Sequence, residues 1–291
     1  MMIQSTNPAT GKMLQSFEHM SPQQVDEILS DCAAAQKEWK LTSMAERTRL
    51  MNRAADLLEE RAEELGRLAV LEMGKPIGEG IGEVKKCAWV CRHYAEHTAA
   101  YLEPKSTQTD GSSSYVRYDP LGVVLAIMPW NFPYWQVFRF IAPNLMAGNG
   151  GILKHAPNVP QCALAIERIM TDAGFPEKLF CNLFIDTEPV AGIIADKRIA
   201  AVTLTGSERA GRAVGEAAGK AIKPMVLELG GSDPFIVLAD ADVKRAAQVA
   251  AFSRCMNNGQ SCIAAKRFIV MDSVHDQFVA ELKLEMESLK M

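Results

Sequence analysis

Beyond residue 121, the sequence alternates between short apolar runs and longer segments with helical periodicity, and this alternation constrains the fold more than any other feature. The apolar runs cover residues 123–128, 151–154, 179–184, 199–204 and 225–229. The helical segments between them cover residues 135–147, 161–173, 188–195 and 208–218. Strands that are apolar throughout and alternate with helices predict an α/β fold, with a parallel sheet covered by helices on both faces. Such sheets bind ligands at the carboxyl ends of their strands, so we expect functional residues there.

The first hundred residues are predicted to be helical. Ser21 begins a capping-box pattern with proline at the first helical position, which is typical of a helix N-terminus. Ser43 begins a second such pattern and predicts one long helix that ends near Gly74. A third helix is predicted over about residues 76–102 from its apolar stripe. Residues 111–118 are polar and alternating, which predicts a projecting edge hairpin that stays blunted or pairs with another subunit.

The third predicted helix carries a cluster of residue types that bind metals, namely Cys87, Cys91, His93 and His97. At 100° per residue, the two cysteines and the two histidines lie about 120° apart around the helix. Side chains so far apart cannot close on one ion, so we predict no metal site. Cys91 falls on the apolar stripe and is expected to be buried.

Composition limits the classes of partner. The chain has 291 residues, of which 48% are hydrophobic and 23% charged, as in ordinary globular proteins with a large core. The net charge is −4 with Lys and Arg spread among Asp and Glu, so no nucleic-acid partner is predicted. No apolar stretch is long enough to span a membrane, and no signal-peptide pattern is present, so no membrane partner is predicted. The seven cysteines lack disulfide-framework spacing and are interpreted as reduced thiols of a cytoplasmic protein.

Two polar residues follow directly on predicted strands. Asn131 lies between Pro129 and Pro133, and the two prolines stiffen the turn, so that its amide NH2 can be held in one orientation. A fixed amide donor suits an oxyanion site, although an asparagine that satisfies loop backbone fits the pattern too. Lys154, at another strand end, can reach ribose hydroxyls or phosphate, or it is simply a solvated charge.

A Gly-Ser turn and a Glu–Cys pair complete the candidate residues. Gly206 and Ser207 precede a helix and would offer free N–H groups to a phosphate, unless they only cap that helix. Glu228 ends an apolar run before a Gly-Gly pair, and Cys262 lies in a polar turn before a strand predicted at 267–271. A thiol nucleophile and a carboxylate base are the parts of covalent acyl chemistry, but their spacing alone is weak evidence.

Seven motifs occur in order along the chain: NPATGK, LEMGKP, MPWNFP, LKHAP, TGSERAG, LELGGSDP and NNGQSC. Together they resemble the aldehyde dehydrogenase superfamily, and the whole run is most similar to bacterial succinate-semialdehyde dehydrogenases. The resemblance implies a Rossmann-type cofactor domain with the beginning of a second α/β catalytic domain. It also implies a homo-oligomer for a full-length family member.

The implied domain organisation has four parts. Residues 1–105 would be the N-terminal helical part of the cofactor-binding domain, and residues 106–121 a projecting oligomerisation hairpin. Residues 122–230 would form the NAD(P)-binding parallel-sheet domain, and residues 231–291 the incomplete start of the catalytic domain.

The resemblance implies a mechanism for oxidising an aldehyde to a free carboxylic acid. Cys262, as thiolate, would form a thiohemiacetal, with Asn131 and the backbone N–H of Cys262 binding the oxyanion. Hydride transfer to NAD or NADP would leave a thioester, which Glu228 would hydrolyse by activating water. Relatives that acylate coenzyme A lack this glutamate, so Glu228 argues against a reductase of acyl phosphates or acyl thioesters.

The resemblance also assigns the ligand-binding residues. The implied cofactor residues are Ile127, Trp130, Lys154, Gly206, Ser207 and Gly211. Pro157 stands where NAD-preferring relatives often carry a glutamate that grips the ribose, so the choice between NAD and NADP stays open. Arg139 stands where some succinate-semialdehyde dehydrogenases bind the distal carboxylate, while Met256 replaces their second arginine. A short acid-aldehyde such as succinate semialdehyde is therefore the favoured substrate.

Family members continue well beyond the position of Met291, and the part that follows holds another cofactor-binding glutamate. The chain is therefore expected to be C-terminally truncated, and to have little or no dehydrogenase activity as it stands. The alternative function is a catalytically silent cofactor-binding or interaction fragment.

Overall fold

The computed structural model describes residues 2–290, and the chain divides into two units between Glu228 and Leu229. The first unit begins with two antiparallel strands, β1 (Met2–Thr6) and β2 (Met13–Glu18). The prediction that the first hundred residues are all helical is wrong here. The chain reverses because the Asn7 carbonyl accepts from Gly11 N at 2.8 Å, with Gly11 at φ 68°, where glycine has no Cβ to clash.

Four helices follow the hairpin: α1 (Pro22–Trp39), α2 (Met44–Glu60), α3 (Ala62–Met73) and α4 (Ile77–Tyr101). The capping box at Ser21 is confirmed, with the Ser21 and Gln24 side chains each accepting from the other's backbone N–H. At Ser43 only half of the box forms, because the Glu46 carboxylate binds Arg49 at 2.7 Å instead. The single long helix predicted up to Gly74 is wrong, since it breaks at Arg61.

A short antiparallel pair, β3 (Lys105–Ser106) and β4 (Tyr115–Val116), follows α4. The predicted strand at 111–118 shrinks to two residues because the Thr109 and Ser114 hydroxyls bond each other at 2.6 Å and close the loop early. All four paired residues are exposed, as expected for an edge hairpin.

The remainder of the first unit contains five strands and four helices. The strands are β5 (Val123–Met128), β6 (Gly150–His155), β7 (Phe180–Asn182), β8 (Ile199–Gly206) and β9 (Met225–Leu229), in the order β7-β6-β5-β8-β9. The helices are α5 (Trp135–Met146), α6 (Pro160–Asp172), α7 (Val190–Ala195) and α8 (Glu208–Lys220). The pairs β5–β6, β5–β8 and β6–β7 are parallel, which confirms the predicted α/β fold class.

Alternate residues of β5 face two different cores, as the pleat requires. Ala126 and Met128 belong to a core formed mainly with α2 to α6. Val123 and Leu125 belong to another core, formed mainly with α1, α7 and α8. The sheet therefore has helices on both faces, and its strand ends remain the natural place for a ligand.

The second unit contains β10 (Asp233–Val237), α9 (Val243–Cys255), a 3-10 turn (Met256–Gly259), β11 (Ala265–Val270) and α10 (Asp272–Glu287). Strands β10 and β11 are parallel, and their Phe235 and Phe268 rings pack against the buried Phe278 of α10. The strand predicted at 267–271 thus begins two residues earlier and ends one residue earlier. None of the helices formed by residues 2–290 has the length and apolar character needed to cross a bilayer.

Candidate active site

The register of the sheet brings predicted cofactor residues to one end of it. Ile127 of β5 is paired with Lys154 of β6 on one side and with Leu204 of β8 on the other. Trp130, two residues after β5, is 37% exposed, so its ring is accessible at this edge. The loops that begin here carry Asn131 and the Gly206-Ser207 turn.

The Asn131 loop is anchored just after the asparagine. The Pro133 carbonyl accepts a hydrogen bond from His155 Nε2 at 2.9 Å. His155 Nδ1 accepts from Ala156 N at 2.9 Å, so a neutral ring with its proton on Nε2 satisfies both contacts. Burial lowers the pKa of His155 from 6.5 to about 4, which keeps the ring neutral at ordinary pH. His155 thereby connects the loop after β5 to the loop after β6, a role that the sequence did not reveal.

Lys154 lines a cavity of about 350 Å³ together with Pro157, His19, Asp186 and Thr187. The lysine is only 7% exposed, and burial lowers its pKa, with Asp186 acting in the opposite direction. Among residues 2–290, no hydrogen bond or ion pair of the ammonium is found. A buried ammonium facing a cavity fits a ligand that supplies hydroxyl or phosphate oxygens. His19 was missed by the sequence reasoning because it comes from the unpredicted hairpin.

Ser207 caps helix α8, since its Oγ accepts from Ala210 N at 3.3 Å. Gly211 is buried in the first turn of that helix, and its N–H donates to the Ser207 carbonyl at 2.9 Å. The capped helix start that the sequence left as an alternative is therefore present. Binding of a phosphate by Gly206 and Ser207 stays a prediction. Gly211 would contribute to such a site only by leaving space, because it has no side chain.

Arg139 of α5 contacts the predicted general base. Its guanidinium lies 3.6 Å from the Glu228 carboxylate and donates to Thr205 Oγ1 at 3.1 Å. These three side chains line a cavity of about 490 Å³ with Met128 and Phe140. The fold therefore places the residue predicted to bind a substrate carboxylate against the carboxylate predicted to activate water.

The loop before Cys262 has an unusual backbone. Asn257, Asn258 and Gly259 are consecutive left-handed residues, with φ of 56°, 55° and 74°. Asparagine tolerates this region better than most residues, and such conformations persist only where the surroundings hold them. Arg254 does so by donating to the carbonyls of Gly259, at 2.5 Å, and Ala265, at 3.1 Å. Sequence reasoning expected a turn at Gly259, but it missed the two asparagines and Arg254.

Lys266 joins the loop that carries Cys262 to the Gly-Gly segment within the second unit. Its ammonium donates to the carbonyls of Gly231, at 2.5 Å, and Cys262, at 3.4 Å. Lys266 therefore ties the backbone of Cys262 to the Gly-Gly segment within this unit.

The seven cysteines separate into two groups by burial. Five are buried, and burial raises the pKa of each of these thiols: Cys32, Cys87, Cys91, Cys162 and Cys181. Only Cys255 and Cys262 are half-buried. In the helix that carries Cys87 and Cys91, His93 and His97 stack at 4.5 Å. Within residues 2–290, no group of three or more His, Cys, Asp or Glu is arranged to hold a metal ion.

The chain resembles known proteins in both sequence and structure. A family model described as "Aldehyde dehydrogenase family" matches residues 1–291. A probable succinate-semialdehyde dehydrogenase [NADP(+)] of Synechocystis is 52% identical over 290 residues, a match that covers 100% of this chain and 64% of the relative. Succinate-semialdehyde dehydrogenase [NADP(+)] 1 of Mycobacterium tuberculosis is 48% identical over 293 residues, with the same two coverages.

Among solved structures, succinic semialdehyde dehydrogenase from Streptococcus pyogenes in complex with NADP+ superposes with a TM-score of 0.96 at 37% identity. That match covers 99% of this chain and 64% of the solved chain. The chain thus spans 64% of the length of these relatives.

Proposed function

The chain belongs to the aldehyde dehydrogenase family, and we propose that its residues serve the NADP+-dependent oxidation of an aldehyde to a free carboxylic acid. The observation that carries this proposal is the buried ammonium of Lys154, which faces a cavity and forms no hydrogen bond or ion pair within residues 2–290. Such a group needs oxygen atoms from a ligand, and the ribose and phosphate of a dinucleotide supply them. Ile127, Trp130, Gly206, Ser207 and Gly211 would complete the cofactor site.

In the proposed reaction, the Cys262 thiolate adds to the aldehyde carbon and forms a thiohemiacetal. The Asn131 amide and the Cys262 N–H stabilise the negative charge that develops on the carbonyl oxygen. The hydride that leaves this carbon would need an acceptor, which NADP+ would supply when bound, and a thioester would then remain on Cys262. Glu228 takes a proton from water as the water attacks the thioester, which releases the carboxylic acid and restores the thiolate.

NADP+ is the proposed cofactor on two grounds. Pro157, three residues after Lys154, lines the same cavity and carries no carboxylate that would repel a 2′-phosphate. The Synechocystis and Mycobacterium relatives are both named for NADP(+).

The proposed substrate is a short aldehyde with a distal carboxylate, such as succinate semialdehyde. Arg139 would bind that carboxylate, and the relatives named above are succinate-semialdehyde dehydrogenases. In the structure, the guanidinium already contacts Glu228, so the incoming carboxylate would have to share or replace this contact.

Three further properties are proposed from the family. The exposed β3–β4 hairpin would serve oligomerisation, and residues 231–291 would belong to the catalytic domain. A cytoplasmic location is supported by the cysteines, which are all free thiols.

The test measures binding and turnover separately, because the chain spans 64% of the relatives' length. Homogeneous protein is titrated with NADP+ by calorimetry, and reduced nicotinamide is then followed by absorbance after succinate semialdehyde is added. We expect NADP+ to bind more tightly than NAD+, and any reduced cofactor that forms should be absent in Cys262→Ser and when the aldehyde is omitted. Binding without reduction would favour the catalytically silent cofactor-binding module, and absence of binding would refute both proposals.

A further inference from the structure

The function proposed above leaves the LEMGKP segment, residues 71–76, without a role. Its Lys75 is 1% exposed, and its ammonium forms an ion pair with Glu83, which is 5% exposed and lies in α4. Removing two charges from water is costly, and a buried pair seldom adds net stability. A contribution to stability therefore does not explain why this buried ion pair is present.

The second oxygen of Glu83 points to a different helix. Glu83 Oε1 accepts from the backbone N–H groups of Tyr134 and Trp135, each at 2.8 Å. These N–H groups begin α5 and have no partner within their own helix. Tyr134, at the N-cap position, makes no side-chain cap itself. Glu83 therefore caps α5 from outside, where the positive end of the helix dipole favours a carboxylate.

Two more contacts hold the residues between Asn131 and α5. The Lys75 ammonium lies 4.5 Å from the centre of the Phe132 ring, in a cation–π contact. The next residue, Pro133, is held by His155. Three consecutive residues after Asn131 are thus each fixed by a different part of the fold.

We propose that Lys75 and Glu83 are positioning residues, which hold the loop after β5 so that the Asn131 amide stays aimed at the reacting carbonyl. The catalytic meaning of this inference rests on the proposed function, whereas the fixing of the loop does not. Lys75 orients the Glu83 carboxylate, Glu83 fixes the start of α5, and the short loop before α5 then has little freedom.

The charges of Lys75 and Glu83 explain why both residues of the ion pair are needed. Burial raises the pKa of the Glu83 carboxyl, while Lys75 and the two backbone N–H groups act in the opposite direction. In Lys75→Met, the opposing cation is lost, so the pKa of the Glu83 carboxyl rises further and its neutral form is favoured. A neutral carboxyl accepts weaker hydrogen bonds than a carboxylate, so the start of α5 loosens.

The primary test is residue-resolved hydrogen exchange of the Tyr134 and Trp135 amides in the whole chain. Lys75→Met should raise their exchange by about tenfold or more, since local opening becomes easier. The matched control is Arg47→Met, because Arg47 is another buried cation whose guanidinium donates to Met146 O at the opposite end of α5. Arg47→Met should loosen the end of α5 and leave Tyr134 and Trp135 unchanged.

A double variant tests whether the pair acts as a unit. In Lys75→Met/Glu83→Gln the buried charges are gone, but the Gln oxygen can still accept from the two N–H groups. Exchange at Tyr134 and Trp135 should return toward the value of the unaltered protein, and Lys75→Met/Glu83→Leu should not show this rescue. If Lys75→Met alone does not fold, these two double variants decide the question.

The proposed effect of Lys75 and Glu83 on catalysis is measured separately. In a protein that turns over, Lys75→Met should slow the first burst of reduced cofactor by about tenfold or more, within the cost of losing an oxyanion donor, with the dissociation constant of NADP+ unchanged. If the unaltered chain binds no NADP+, the proposed function fails while the exchange data still decide the role of the pair. Unchanged exchange at Tyr134 and Trp135 in Lys75→Met, or an equal change in Arg47→Met, would overturn the inference.

Discussion

The guanidinium of Arg139, on α5, lies 3.6 Å from the carboxylate of Glu228, on β9. Both side chains are partly exposed, at 37% and 55%, so the contact contributes little to stability. The contact matters because one guanidinium could bind either of two carboxylates, that of Glu228 or that of an acidic substrate. The first prediction follows from this competition.

Replacing Arg139 with Met should raise KM for succinate semialdehyde by roughly tenfold to a hundredfold, the worth of one hydrogen bond to a charged group. The KM for butanal, which has no carboxylate, should change little. Steady-state kinetics with both aldehydes checks this. If kcat fell equally for both aldehydes with KM unchanged, Arg139 would act through Glu228 rather than on the substrate.

In a protein that turns over, Glu228→Gln should preserve the first turnover and abolish the second, because hydride transfer precedes hydrolysis in the proposed reaction. Rapid mixing should give one equivalent of reduced cofactor per site, followed by almost none. Asn131→Ala is the comparison, in which the burst itself should slow by about 10²–10³. A burst that survives in Asn131→Ala but is lost in Glu228→Gln would mean that the roles assigned to these two residues are reversed.

Cys262 should be the first cysteine alkylated by limiting iodoacetamide, ahead of the five buried thiols whose pKa values are raised by burial. Cys255 is the relevant competitor, because it too is half-buried. Peptide mapping after brief labelling identifies the modified residue, and Cys255→Ser serves as the control. Labelling of Cys255 before Cys262 would remove the support for Cys262 as the nucleophile.

His155 should make folding depend on pH between about 6.5 and 4. Its pKa is lowered from 6.5 to about 4, so its contribution is present above 6.5 and is lost as pH falls toward 4. The loss should approach about 3 kcal/mol.

The measurement is urea unfolding across this pH range for the unaltered protein and His155→Gln. Glutamine does not titrate in this pH range, so the difference between the two stability curves gives the contribution of the histidine. Parallel curves would show that the pKa of the ring is the same in the folded and the unfolded protein.

Pro157→Glu should weaken NADP+ binding by about tenfold or more, because a carboxylate in the Lys154 cavity repels a 2′-phosphate. NAD+, which lacks that phosphate, should not be weakened. Pro157→Gln serves as the control, because glutamine has the size of glutamate without its charge. Calorimetric titration with both cofactors measures the change, and equal weakening by Glu and Gln would point to shape rather than charge.

Local patterns sufficed to predict most of the individual elements. The bounds of β5 and β9 agree with their apolar runs, and the capping box at Ser21 forms as written, since apolar periodicity and caps depend on residues a few positions apart. The motifs also predict catalytic roles for Asn131, Glu228 and Cys262, and these roles stay predictions.

Tertiary structure decided the features that depend on distant residues. The break at Arg61 interrupts a pattern that is helical throughout, and Arg61 binds Asp172 of α6 at 2.5 Å. The contacts of Glu83 with the start of α5 and of His155 with Pro133 join segments far apart in sequence. A sequence specifies which groups are able to bond, but packing decides which of them come within bonding distance, because burial of the two cores outweighs local propensity.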